Sequence, residues 1–450
     1  MIERLLEHAR RRGAGAADAL WRRAERTSVA FESGRLKAAG VTEEAGVNLR
    51  VVSGGRVGIA GSTAVDAAPE DVVARALGSA ELGETLDLAF PPRAPLPQVP
   101  TFFDRAAAAS LDVLIEIGRQ LVGELAREGC QVNVTVEREV AETRVANTVG
   151  TDATYPSTGV AVSADVWRVS GGGGGGGGGD DVLALGDGFE GADLPGPADL
   201  ARLVQSINAR LDLALTITAP PEGALPVVFT PAGASAVLLP ITQALSGKAV
   251  LQGISPLAAR VGEQAFDPAF SLTDDPLAPG RAPSRPIDDE GVPSRTTCLV
   301  QRGVVQRFIY DLETAARAGT ASTGHGQRGI FSKPVVGYTN LVIGEAGKAT
   351  EGAEYELGGG LLGDIADGLL VDDLIGVGQG NVIGGAFSHP VALAYRVQRG
   401  QIVGRVKDAA VAGNSYELLQ RIAGLGRDRR WYGARSTPSL MLEGVSVARR

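Results

Sequence analysis

Thr27-Ser28-Val29-Ala30-Phe31-Glu32-Ser33-Gly34 decides how the first half of this chain folds, together with the alternating Val47, Leu49 and Val51 and the run Ser53-Gly54-Gly55-Arg56-Val57-Gly58-Ile59. β-Branched and aromatic residues at period two predict strands buried on one face. Glu32-Ser33-Gly34 and Ser53-Gly54-Gly55 are turn signals between them. Strands joined by turns this short pair antiparallel. Working outward, residues 2–26 read as a helix, with Ile2, Leu5, Leu6 and Ala9 at helical spacing and Gly13 and Gly15 interrupting or ending its first segment. Residues 68–80 read as a second helix. Residues 86–103 are Pro-rich and read as an extended connector. Ser110 is placed as an N-cap before Leu111, Leu114, Ile115, Gly118, Leu121, Val122 and Leu125, an amphipathic helix ending at Gly129. Strands are expected at 132–136, 139–147 and 158–169, and a helix at 198–213. The first half is therefore an α+β unit, a mainly antiparallel sheet flanked by helices.

Pro220-Pro221 and Gly223 mark the expected boundary, giving domains 1–220 and 221–450. Beyond it, Leu225–Thr230 reads as a buried strand and 232–246 as a helix. Short β runs then alternate with Gly/Pro turns at 296–300, 304–310, 339–343, 391–397, 402–406 and 439–447. That pattern predicts a β-rich sandwich or pseudo-barrel. Nine consecutive glycines at 171–179 lack the Lys and the spacing of a phosphate-binding loop and read as a flexible hairpin or loop.

Composition narrows the function. The 450 residues carry a net charge of −9 with no Lys/Arg-rich block, which argues against direct nucleic-acid binding. No apolar run approaches the roughly 18–20 residues of a membrane-spanning helix. The charged N-terminus has no secretory h-region, and two cysteines, Cys130 and Cys298, make no disulfide framework. The expected location is therefore cytoplasmic.

The residues give no obvious active site. His8, His325 and His389 are the three histidines, and no two lie close enough for H-E-x-x-H. Gly233-Ala234-Ser235-Ala236 fails the G-x-S-x-G pattern at its last position. Cys298 lies in a strand-like run and reads as a small buried hydrophobe. Asp274-Asp275 and Asp288-Asp289-Glu290 offer paired carboxylates for Mg²⁺ or Ca²⁺, or ion pairs with Arg281, Arg285 and Arg295. His325 and Arg328, in a Gly-flanked loop, and His389, before Pro390, are candidates for substrate or partner contact. Trp431 follows Arg427-Asp428-Arg429-Arg430, and Ala386-Phe387 reads as lying in a Gly-rich loop. Both read as interface anchors, with Trp431 read equally as a core residue.

One further pattern runs through the chain. Asp274-Asp275-Pro276 is followed by Ser284-Arg285-Pro286-Ile287-Asp288-Asp289-Glu290-Gly291-Val292-Pro293 and Arg295-Thr296. Ser322-Thr323-Gly324-His325, Gly368-Leu369-Leu370-Val371, Leu374-Ile375-Gly376, Ala412-Gly413-Asn414 and Arg435-Ser436-Thr437-Pro438 follow in order. This order and spacing resembles the TldD/PmbA family, and its TldE (PmbA) branch in particular. The resemblance implies a zinc metallopeptidase of two related subunits, in which the TldD-type chain holds zinc through H-E-x-x-x-H on a helix and a distant Cys. In this sequence Pro240 and Leu245 stand at the His positions and Ile241 at the Glu position, and no Cys follows Cys298. The resemblance thus implies no metal ligand and no catalytic residue here, no cofactor bound by this chain, and zinc in the partner subunit.

The expected function is a non-catalytic subunit that helps to enclose or select unfolded or leader-type peptides for a TldD-type catalytic paralogue. Its expected assemblies are a heterodimer with that paralogue and a homodimer when expressed alone. A stand-alone binding or regulatory protein is a second reading. An independent metal-dependent hydrolase using His325, His389 and the Asp274 and Asp288 carboxylates is a third.

Overall fold

The computed structural model describes residues 1–64, 68–170, 181–344 and 356–450. The nine-glycine run lies outside them. Helix α1 (Ile2–Arg11) ends where Gly13 takes φ +90°, a conformation that carries little cost only for glycine. Strands β1 (Ala16–Glu32), β2 (Arg35–Ser53) and β3 (Arg56–Ser62) follow. Next come helices α2 (Pro69–Glu81), α3 (Asp104–Ala107) and α4 (Leu111–Leu125), then β4 (Cys130–Asn147), β5 (Asp152–Ser170), β6 (Asp181–Gly191) and helix α5 (Pro197–Ala214). The six strands form one antiparallel sheet in the order β3-β2-β1-β4-β5-β6, curved into a half-barrel.

Two expectations are corrected. Residues 16–26 are strand rather than helix, because β1 is laddered to β2 and β4 along nearly its whole length. The expected strands at 132–136 and 139–147 are one strand, β4, with Glu137-Arg138-Glu139 inside it. Two of those charges find partners. The Arg138 guanidinium donates to the carbonyls of Ala107 (3.0 Å) and Ala109 (2.7 Å), and Arg26 pairs with Glu139 at 2.9 Å.

The four longer helices cover one face of this sheet. Helices α1 and α2 bury Ile2, Leu5, Val73 and Ala76 against Ala17, Ala19, Leu49 and Val51. Helix α4 buries Leu114, Leu121 and Leu125 against Val29, Phe31, Val134 and Val136. Gly118 is where α4 meets the sheet, since a Cβ there would stand 2.3 Å from the Phe31 ring.

The second half closes into a barrel of five strands. β8 (Gly223–Phe229), reached through the two-residue β7 (Ile217–Thr218), lies between strands 367–374 and 440–449. Strand 440–449 continues to 409–414 and that to the start of 386–398, whose later part returns to 367–374. Ala386-Phe387 thus opens a barrel strand rather than a loop, with the Phe387 ring buried. Helix α6 (Ser235–Ala244) packs with one side of the barrel strands through Val227, Phe229, Leu369 and Leu440. The other side, with Val228, Leu370, Tyr395 and Met441, shares a core with α4 and α5. The two halves are therefore joined by hydrophobic packing as well as by β7, which pairs with Arg405–Val406. A second sheet, holding Leu272–Asp274, Thr297–Gln301, Leu341–Ile343 and Arg435–Thr437 among its strands, frames the loops between. No helix among the described residues is long and apolar enough to cross a membrane.

Candidate functional site

Helix α6 carries the positions at which the family resemblance would place metal ligands and base. Pro240 lies inside the helix, Ile241 faces the core, and Leu245 caps the C-terminal end. Ile241 and Leu245 are fully buried, in the same cluster as Phe229, Phe270 and Leu440. Two tyrosines pin the helix: Tyr338 Oη donates to the Thr242 carbonyl at 2.6 Å, and Tyr416 Oη reaches the Pro240 carbonyl at 3.3 Å. Zinc takes N, S or O donors from His, Cys, Asp or Glu. None of these three side chains offers one, so they do not fit the metal. No group of three or more His, Cys, Asp or Glu converges to hold a metal among the described residues.

The ionisable motifs converge elsewhere, between β1, β2 and the loops of the second half. Asp288 Oδ1 accepts from the amides of Glu290 (3.0 Å) and Val292 (2.8 Å), and its Oδ2 from that of Gly326 (2.9 Å). Asp289 pairs with Arg285 at 3.1 Å and accepts from the Arg328 amide at 2.9 Å. Glu290 meets Arg50 at 2.6 Å, and its second oxygen accepts from the Leu312 amide at 2.7 Å. Asp18 takes a two-pronged contact from Arg50, at 3.0 and 2.7 Å, and a third from Arg328 at 3.2 Å. Asp274 accepts from both the amide and the hydroxyl of Thr339, and His325 Nε2 lies 3.1 Å from it. The His325 Nδ1 faces Thr323 Oγ1 at 2.9 Å. Burial pushes the Asp288 carboxyl up. Burial, with the charges of Asp288 and Asp311, pushes Glu290 up to about 7 against the pull of Arg50.

These carboxylates are thus engaged by arginines and backbone amides rather than left for a cation. The geometry is that of a clasp: β1 and β2 supply Asp18 and Arg50, and the second half supplies Glu290 and Arg328. His325 and the Arg328 side chain are about 1% and 0% exposed, so the structure places both candidates inside the molecule. His389 and Trp431 are half-buried. His389 stacks on Phe387 with ring centroids 5.9 Å apart, and burial lowers its pKa. Trp431 lies under the Arg281 guanidinium, 4.3 Å from the ring centroid. The four candidates do not form one site.

A cleft of about 510 Å³ opens between the uncovered face of β4–β6 and the segments around Asp372 and Tyr432. Its sheet wall is made of alternate residues, the small Thr135, Ala161, Ser163, Gly186 and Gly188 together with the carboxylates Glu137, Asp165 and Glu190. Arg210 of α5 lies at its edge, tied to Asp372 at 2.7 Å, and Asp187 is held by Arg430 at 2.6 Å. Burial raises the pKa of Asp165, Asp373 and Tyr432. No motif in the sequence marks this cleft. The strand alternation of 158–169 is its one local signal, and the facing wall comes from distant segments of the second half.

The model of the PmbA/TldA metallopeptidase C-terminal domain matches residues 222–449, and that of domain 1 of the same family matches residues 17–80. A metalloprotease TldD homolog of Haemophilus influenzae is 30% identical over 212 residues, covering 46% of this chain and 42% of that protein. A metalloprotease PmbA homolog of the same organism is 26% identical over 226 residues, 50% of this chain and 46% of its own length. The matches therefore span less than half of each of these curated relatives. Among solved structures, TldE from Thermococcus kodakarensis superposes with a TM-score of 0.86 at 23% identity, over 99% of both chains. A putative modulator of DNA gyrase from Thermotoga maritima gives 0.83 at 23% identity, again over 99% of both. These structures share the fold from end to end. With its C-terminal half matched throughout and its first strands matched as well, the chain belongs to the TldD/PmbA metallopeptidase family.

Proposed function

We propose that this chain is a non-catalytic, TldE-like subunit of a heterodimeric zinc peptidase, acting in the cytoplasm beside a TldD-type chain that holds the metal. One observation carries the reading: Pro240, Ile241 and Leu245 are apolar side chains on a helix packed into the largest core. Restoring ligands there would bury polar groups without partners, which costs several kcal/mol. The fold likeness to a chain named TldE supports it further.

The role left to such a chain is to enclose or select peptides. The cleft on β4–β6 suits that role, since Thr135, Ala161, Ser163, Gly186 and Gly188 leave room for an extended chain against the sheet face, with Glu137, Asp165 and Glu190 as acidic groups beside it. The test is reconstitution. Chelator-sensitive cleavage of unfolded peptides should appear only when this chain is mixed with a TldD-type chain. Robust chelator-sensitive cleavage by this chain alone would overturn the reading.

A further inference from the structure

Helices cover only one face of β4–β6. Along β5, Val160, Val162, Ala164 and Val166 are buried beneath them. Ala161, Ser163, Asp165, Trp167 and Val169 therefore fall on the other face, at the strand period of two. The first three line the cleft, and the last two continue the same face beyond it. Trp167 lies opposite Ala184 of β6, and Val169 opposite Val182. Trp167, Val169 and Val182 are 44%, 57% and 52% exposed. One sheet face thus runs from a carboxylate-lined cleft to an apolar ledge.

The cleft carries excess negative charge. Six carboxylates line it, and Arg210 is the one cation in its walls among the described residues. Arg210 engages Asp372, and Arg430, from outside the walls, engages Asp187. Glu137, which lies near Arg26, and Asp165, Glu190 and Asp373 have no ion pair among the described residues. Asp165 and Asp373 stand on opposite walls. Asp165 leans across to β6, where a Cβ on Gly186 would stand 2.1 Å from its Oδ1. Glycine there leaves the carboxylate lying over the sheet. Asp373 Oδ1 accepts from the Leu374 amide at 2.8 Å. Burial alone raises the pKa of Asp165; at Asp373 burial leads, with Asp372 adding to it and Arg210 opposing. Both carboxylates are thus held where a cation would stabilise them.

We propose that this face binds an extended peptide with a Lys or Arg side chain between Asp165 and Asp373 and an apolar side chain, two positions away, on Trp167. The inference rests on the peptide-handling role in the functional reading and names the class of peptide. Same-face side chains of an extended chain are about 6.6 Å apart. That spacing is shared by the peptide and by β5, so both contacts are made together. The cation meets carboxylates that no arginine holds, and the apolar residue covers a ring that water now covers. A lone metal ion does not fit, because no three carboxylates converge to hold one among the described residues. An acidic peptide would meet like charge.

The test is binding of labelled synthetic peptides to the full chain alone, read by fluorescence anisotropy, with unfolding midpoints confirming that each variant folds. The probes are a Gly/Ser peptide with one Lys-Ser-Leu step and its Glu-Ser-Leu counterpart. The Lys peptide should bind at least about tenfold tighter, since a like charge in the cleft is repelled. Asp165→Lys combined with Asp373→Lys should reverse that preference. Asp165→Asn, which keeps the shape, should weaken the Lys peptide about threefold. Trp167→Ala should weaken Lys-Ser-Leu and leave Lys-Ser-Ser unchanged. Glu116→Lys with Glu124→Lys makes the same change in net charge on the exposed side of α4, across the sheet, and should leave binding unchanged. Five results overturn the proposal: equal affinity for the two peptides, binding of neither, indifference to the paired Lys variant, indifference to Trp167→Ala, or an equal effect of the α4 control. None of them touches the non-catalytic reading, which metal content and reconstituted cleavage decide.

Discussion

Helix α6 and the Ser284–Thr296 stretch both belong to the family pattern, and they differ in what their side chains do. The helix at the metal-ligand positions is an apolar core element, while the stretch dense in carboxylates is a structural clasp. Local density of Asp, Glu, Arg and His does not mark chemistry here. What decides is whether each charged group already has a buried partner. Asp18, Glu290 and Asp288 have two or three each, whereas the side chains of Pro240, Ile241 and Leu245 have no polar atom to offer.

The largest expected effect comes from breaking the clasp. Arg50→Ala removes the one arginine on Glu290 and the two-pronged contact on Asp18, which keeps only Arg328, and should cost about 3–5 kcal/mol of stability, read by denaturant unfolding. An effect under about 1 kcal/mol would mean that the clasp does not hold the halves together. Next is Ile241→Val, which trims one methylene from a fully buried side chain and should cost about 0.5–1.5 kcal/mol. Zinc should leave its unfolding curve unchanged, as for any core residue. The smallest effect is one of pH. Glu290 is raised from 4.5 to about 7 in the folded state, so the folded chain binds its proton more tightly than the unfolded chain. The contribution of Glu290 to stability is therefore fully present below about pH 4.5 and declines as pH rises to 7. Glu290→Gln should remove that decline, so that the stability difference between variant and wild type changes across pH 4.5–7 and is flat above it. A difference independent of pH would contradict the assignment.

Much of the fold was legible where patterns are local. The turns at Ser33-Gly34 and Gly54-Gly55 are where strand spacing predicts them, and α4 follows its apolar stripe. The expected helix over 16–26 was misleading for a physical reason. Ala16-Ala17-Asp18-Ala19-Leu20 contains no β-branched residue, and alanine favours helix. Two neighbouring strands outweigh that preference, with Ala17 and Ala19 packed beneath α1 and α2. Glu137-Arg138-Glu139 resembled a break because charges are rare within a strand, yet Arg138 and Glu139 are paired with groups at the end of α3 and on β1. The degenerate helix positions were legible by resemblance. The clasp was not, because Asp18 and Arg328 are 310 residues apart and no local pattern pairs them. The cleft likewise joins β4–β6 to segments near Asp372 and Tyr432.

The central claim is that the α6 positions bind no metal. Elemental analysis of the purified chain, dialysed against trace zinc without chelator, tests it most directly. The account predicts well under one zinc per chain and no change on adding Gln243→His, since a single new donor makes no site. About one zinc per chain, retained through dialysis, would contradict it.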